Sequence, residues 1–180
     1  EARETNVPWI IQDAFPGYHG LAWYWREFEA PANPHEQGRY LLRFWAVDYK
    51  ADVWLNGAQV GSHEGGETPF VLDVTDHVVP GTRNRLAVRV LNPTHEPIDG
   101  IVLAETPHRN KAVPYSAGNS YNHGGIVDSV ELLIVPAVTI TDLFARPDAD
   151  TGRIRVSVQI HNSLDHEVAG RVELSVAPSP

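Results

Sequence analysis

Three pairs of acidic residues stand close enough along the chain to invite an acid–base reading: Glu27 with Glu29, Asp48 with Asp52, and Glu64 with Glu67. Cleaving a glycosidic bond with retention, for example, needs two carboxyl groups about 5 Å apart, one serving as acid and base and the other as nucleophile. Each pair here falls in an alternating strand or a polar turn, where an exposed charge is the ordinary finding. None is expected to be catalytic. The nine histidines prompt a search for metal ligands. There is no His-Glu-x-x-His, no His-x-His and no acidic calcium loop, so His63, His77 and His123 read as loop or hydrogen-bonding residues. With no Gly-x-Gly-x-x-Gly and no phosphate loop either, no metal and no cofactor is expected.

The richest constellation is Tyr115-Ser116-Ala117-Gly118-Asn119-Ser120-Tyr121-Asn122-His123-Gly124-Gly125-Ile126. Sugars are held by aromatic faces against their C–H patches and by amide, imidazole and carboxyl groups on their hydroxyls. Asn119, Tyr121, Asn122 and His123 offer that set beside glycines that let the backbone come close. The plainer use of Asn119, Asn122 and His123 is to satisfy backbone groups in a long loop. Trp23, Trp25, Trp45 and Trp54 would also suit a carbohydrate platform. The shared face of Trp23 and Trp25 in an alternating run argues for burial of that pair, and Trp54 is expected to be the most exposed of the four.

Short strands must position these groups. Leu21, Trp23 and Trp25 alternate with Ala22, Tyr24 and Phe28, and with apolar groups on both faces this strand is expected to be central in a sandwich. A strand over 39–47 follows, placing Tyr40, Leu42 and Phe44 opposite Leu41, Trp45 and Val47. Asn56-Gly57, between two alternating runs, is the signature of a type I′ hairpin, whose two central residues both need positive φ. Glu64-Gly65-Gly66-Glu67 reads as a sharp loop before a strand over 69–74 with Phe70, Leu72 and Val74 on one face. Thr75 could cap at most one helical turn before the strand over 84–91. Residues 92–125, interrupted by Pro93, Pro97, Pro107 and Pro114, lack periodicity, and so long a loop is commonly functional or disordered. After a strand over 128–135 ending at Pro136 come three more, over 138–143, 153–160 and 168–176. Residues 1–20 read as extended, because Pro8, Pro16, Gly17 and Gly20 oppose a stable helix.

The wording of these blocks is also that of a family. Ala22-Trp23-Tyr24-Trp25-Arg26-Glu27-Phe28, Leu42-Arg43-Phe44-Trp45-Ala46-Val47-Asp48, the stretch from Val53 to Thr75, Asn84 to Asn92, and Gly124-Gly125-Ile126 with Ser129-Val130-Glu131-Leu132 occur in order over about residues 7–136. Together they resemble the N-terminal sugar-binding domain of glycoside hydrolase family 2, the β-galactosidase, β-glucuronidase and β-mannosidase family. The resemblance implies a galactose-binding-like jelly-roll β-sandwich over residues 1–136 and the truncated start of an immunoglobulin-like β-sandwich over 137–180. It also implies that both catalytic glutamates lie in a later (β/α)8 barrel, so the isolated chain should be inactive. In β-galactosidase-like and β-glucuronidase-like members, an aspartate of the loop ending at Gly-Ile reaches the sugar. Counting back from Gly125-Ile126 puts Asn119 at that place, with an amide where the family has a charge.

Composition narrows the partners. A net charge of −9 argues against a nucleic-acid backbone, and no run approaches the ~18 apolar residues of a membrane span. The chain has no cysteine and no methionine, not even at position 1, which points to a processed product or a piece of something longer. Residues 1–10 do not read as a signal peptide. The expected partners are a carbohydrate and the barrel of the parent chain. Uncovered apolar faces in 137–180 would favour pairing between copies, so a homo-oligomer is also among them. Three roles stay open: a buttressing domain that lends a loop to the pocket, an independent carbohydrate-binding module, and a purely structural interface domain.

Overall fold

The computed structural model describes residues 1–106 and 122–177. In chain order the elements are a single helical turn α1 (Ile11–Ala14), then β1 (Gly20–Glu29), β2 (Arg39–Phe44), β3 (Val47–Asp48), β4 (Lys50–Leu55), β5 (Ala58–Glu64), β6 (Phe70–Asp73) and β7 (Arg83–Asn92). A 3-10 turn at Leu103–Glu105 precedes β8 (Gly125–Ile126), β9 (Val130–Val135), β10 (Val138–Asp148) and β11 (Arg153–Asn162). The described chain is nearly all-β, as the alternating patterns require. It divides into two compact units, residues 1–33 with 39–134, and residues 34–38 with 135–180.

In the first unit, one sheet has the order β1-β7-β4-β5 and the other β6-β2-β9, while β3 and β8 form a two-residue pair. The registers Ala51↔Val90, Val53↔Val88 and Leu55↔Leu86 put every second residue of β4 and β7 on one face. These six side chains are all buried. From the facing sheet come Tyr40, Leu42, Phe44 and Phe70, with the Phe44 and Phe70 rings stacked at 4.8 Å between centroids. A single apolar cluster therefore spans both layers, and burying such side chains is worth about 1.5–3 kcal/mol each. The hairpin forms as its turn chemistry demands, Asn56 with φ 52° and Gly57 with φ 88°. Thr75 lies in a turn in which Val78 donates to the Val74 carbonyl, while its own hydroxyl donates to Asp73 Oδ1 and accepts from the Tyr40 amide.

Several expectations fail here. β1 is an edge strand, not a central one. Ala22, Tyr24 and Phe28 pack on the core, whereas Trp23 and Trp25 point outward, 51% and 60% exposed. Apolar residues on both faces gave no basis for choosing the inner one, which packing against the core cluster decides. Trp23 covers Trp54 at 5.1 Å between ring centroids, so Trp54 is half-buried and less exposed than either. The strand expected over 39–47 breaks after Phe44; Trp45 donates its amide to Ser129, and Val47 then pairs with Ile126. Between Pro8 and Pro16 there is room for the one turn of α1, which buries Ile11.

In the second unit β10 and β11 pair as a hairpin through the turn at 149–152. Residues 168–176, expected as a third strand, form none. Among the described residues their alternation meets no partner backbone, and a strand exists only through hydrogen bonds to a neighbour.

Candidate functional site

Of the four residues singled out as sugar-binding, Asn122 and His123 lie among the described residues; Asn119 and Tyr121 lie outside them. Both described residues are half-buried and lead into β8. What fixes this stretch is the far end of β7. Continuing the inward phase of Leu86, Val88 and Val90, Asn92 reaches the same face and is fully buried. A buried amide must find partners, since an unpaired polar group there costs about 1–3 kcal/mol. Asn92 Oδ1 accepts from Gln12 Nε2 at 3.0 Å and lies 2.8 Å from His19 Nδ1. Its Nδ2 donates to Asn122 Oδ1 at 2.9 Å. Asn122 Nδ2 in turn donates to the Pro93 carbonyl at 2.6 Å.

The backbone is held as firmly as the side chains. Gly124 donates its amide to Gln12 Oε1 at 3.3 Å, and its carbonyl accepts from the Ile11 amide at 2.7 Å. The Ile126 carbonyl accepts from the Trp9 amide at 2.9 Å. A Cβ on Gly124 would stand 2.4 Å from Asn92 Cβ, and one on Gly125 (φ 136°) would stand 2.8 Å from the Trp9 carbonyl oxygen. Both glycines are thus required by close approach, not by a turn. Burial pushes the Tyr24 hydroxyl, beside Gly125 and Ile126, up to about 12 against the pull of its hydrogen bond to the Ile126 backbone.

The acidic pairs are structural in their visible contacts. Glu27 faces Arg83 at 3.1 Å, and Asp52 faces Arg89 at 3.0 Å. Arg89 also binds Asp99. Glu64 accepts from the Tyr49 hydroxyl at 2.8 Å; burial first and then this carboxylate push that phenol up to about 12. Asp48 is buried against Gly66. His63 lies 2.9 Å from the Thr68 hydroxyl and stacks on Phe70 at 4.4 Å. Among the described residues no three His, Asp or Glu side chains gather as a metal site would require, and no helix is long and apolar enough to cross a membrane.

Gln12, His19 and Asn92 escaped the sequence reading. One signal was available for Asn92: an amide in the inward phase of an otherwise apolar alternation needs buried partners. Gln12 and His19 carried none, because their role depends on where the lead-in crosses the sheet.

Two facing β-sheets around one apolar cluster, with a buried amide network at the end of β7, define a β-sandwich domain. The chain matches the family model described as glycosyl hydrolases family 2, sugar binding domain, over residues 3–136, and it belongs to that family. It is similar to β-glucuronidase of Rattus norvegicus, 31% identical over 170 residues that cover 87% of this chain and 26% of that protein. The likeness to β-glucuronidase of Bacteroides fragilis is 31% over 183 residues, covering 97% of this chain and 23% of the other. Among solved structures, β-glucuronidase of Faecalibacterium prausnitzii is 31% identical with a TM-score of 0.60, over 81% of this chain and 27% of that one. An uncultured Clostridium β-glucuronidase gives 27% and a TM-score of 0.66, over 86% and 27%. The chain thus spans about a quarter of the length of these relatives.

Proposed function

We propose that this chain is the non-catalytic sugar-binding domain of a glycosidase acting on β-glucuronides, buttressing a (β/α)8 barrel and lending Asn119, Tyr121, Asn122 and His123 to the rim of the substrate pocket. The reading is carried by the match over residues 3–136 together with the β-glucuronidase relatives. Supporting it, Asn122 is held by Asn92 and the Pro93 carbonyl at the end of the sandwich, and His123 stands between it and the hydrogen-bonded Gly124, an amide and an imidazole that suit a sugar hydroxyl. The two reacting carboxyl groups come from the barrel, and this domain orients and excludes water.

The test compares the full-length protein with the 180-residue chain on 4-nitrophenyl β-D-glucuronide, with the galactoside and mannoside alongside. The full-length protein should turn over the glucuronide and the short chain none of the three. Within the full-length protein, Asn119→Ala and His123→Ala should each lower kcat/KM about tenfold or more. Wild-type efficiency in both variants, or turnover by the short chain after repurification, would overturn the reading.

One observation favours an independent carbohydrate-binding module: the outward Trp23 and Trp25, with Trp54 beneath, are aromatic surface of the kind that stacks on sugars. Isothermal titration of the 180-residue chain with oligosaccharides separates the two. Dissociation constants well below millimolar would favour the module, and a full-length protein that stays active without residues 108–123 would favour a structural interface domain.

A further inference from the structure

We propose that Asn92 is a positioning residue for the substrate-pocket rim, a clamp through which the N-terminal lead-in fixes the orientation of Asn122 and the backbone at His123. The inference rests on the reading that Asn122 and His123 meet the sugar. Three segments remote in sequence converge on this one side chain. Gln12 and His19 lie 80 and 73 residues before it, and Asn122 lies 30 residues after it. Its Oδ1 takes both lead-in contacts, which fills the two lone pairs of an amide oxygen.

The directions of these bonds make the clamp selective. Asn122 has its Oδ1 on Asn92 and its Nδ2 on the Pro93 carbonyl, so the plane of its amide is fixed at both ends. The Gln12 amide is used twice over: Nε2 serves Asn92 and also the Tyr18 carbonyl at 2.7 Å, while Oε1 receives the Gly124 amide. A shift of Gln12 therefore reaches His123 from both sides, through Asn122 before it and Gly124 after it. Because Asn92 Oδ1 only accepts, the His19 contact calls for a ring proton on Nδ1, on an exposed ring beside Asn122. With Asn92 fully buried, its own amide cannot find replacement partners in solvent without opening the sandwich.

A double-mutant cycle in the full-length protein tests the proposal, using Asn92→Ala, Asn122→Ala and the pair, read as kcat and KM on 4-nitrophenyl β-D-glucuronide. Each single variant should lose about ten- to a hundredfold in kcat/KM, and the pair no more than the worse single. Losses that multiply would overturn the clamp. Asn92→Asp keeps the acceptor for Gln12 and His19 and removes the donor to Asn122. It also sets a buried carboxylate oxygen against Asn122 Oδ1, so it should lose thermal stability as well as kcat/KM; wild-type kinetics in that variant would overturn the proposal. Should Asn92→Ala fail to fold, Gln12→Ala with His19→Ala removes both lead-in contacts and leaves Asn92 in place. Unchanged KM and kcat there would overturn it. If His123→Ala and Asn122→Ala are both as active as wild type, the underlying reading falls and the clamp with it, a result distinct from intact single losses that simply multiply.

Discussion

The two ends of β7 are built alike and serve different purposes. Asn84 and Asn92 both sit in the inward phase of the strand, and both are fully buried. Asn84 ties turns together: its Oδ1 accepts from the Val79 amide and from Asn56 Nδ2 of the hairpin turn, and its Nδ2 donates to the Val79 and Thr82 carbonyls. Asn56 then closes the turn by donating to the His77 carbonyl and accepting from the Arg85 amide. Asn92 gathers the segments that enter or leave the candidate site. The same residue type in the same phase thus closes turns at one end and assembles a site at the other. Only the chain that passes nearby makes the difference.

Breaking each end in turn should separate stability from function. Asn84→Ala is expected to cost the most stability, roughly 3 kcal/mol, because the four hydrogen bonds of its buried amide are lost at once. Urea unfolding followed by tryptophan fluorescence would measure it, and kcat/KM of the full-length protein should stay near wild type wherever the variant is folded. A kinetic defect as large as that of Asn92→Ala would erase the contrast. Gly124→Ala attacks the other end, forcing a Cβ against Asn92. About 2 kcal/mol of destabilisation is expected, accompanied by a raised KM. Gly57→Ala is the matching change at the turn end, where φ is 88° but nothing stands within 4 Å. The cost should be about 1 kcal/mol from backbone strain alone, with KM unchanged.

Alkaline titration sharpens the comparison further, since Tyr24 and Tyr49, both raised to about 12, flank the β3–β8 side of the sandwich. A phenol whose folded value lies above its unfolded value near 10 contributes stability that is complete below pH 10 and is lost as pH rises through 12. Tyr24→Phe should cost about 1 kcal/mol at neutral pH and flatten the decline between pH 10 and 12, as read from urea midpoints across that range. A decline as steep as wild type would refute the assignment. The smallest effect belongs outside both ends. Phe144 on β10 is 61% exposed, and Phe144→Ala in the 180-residue chain should change stability by no more than about 0.5 kcal/mol.

The hairpin at Asn56-Gly57, the shared face of Phe70, Leu72 and Val74, and the all-β class were legible in the sequence. Each rests on local rules: φ requirements at a turn and a side-chain period of two along a strand. The Asn122–His123 stretch was legible as a candidate from its residue types alone. The clamp behind it was not, because its contacts join residues 73 and 80 apart and no periodicity encodes them.

By itself, then, the sequence determined which segments extend, where they turn, and which family they spell. It could not say that Trp23 and Trp25 face outward on an edge strand, because both faces of β1 are apolar and only the neighbour selects one. Nor could it make a strand of residues 168–176, whose alternation finds no partner among the described residues. Local pattern fixes conformation cheaply, but burial and site geometry are properties of what packs against a segment. At Asn92, that is a lead-in far upstream and a loop end well downstream.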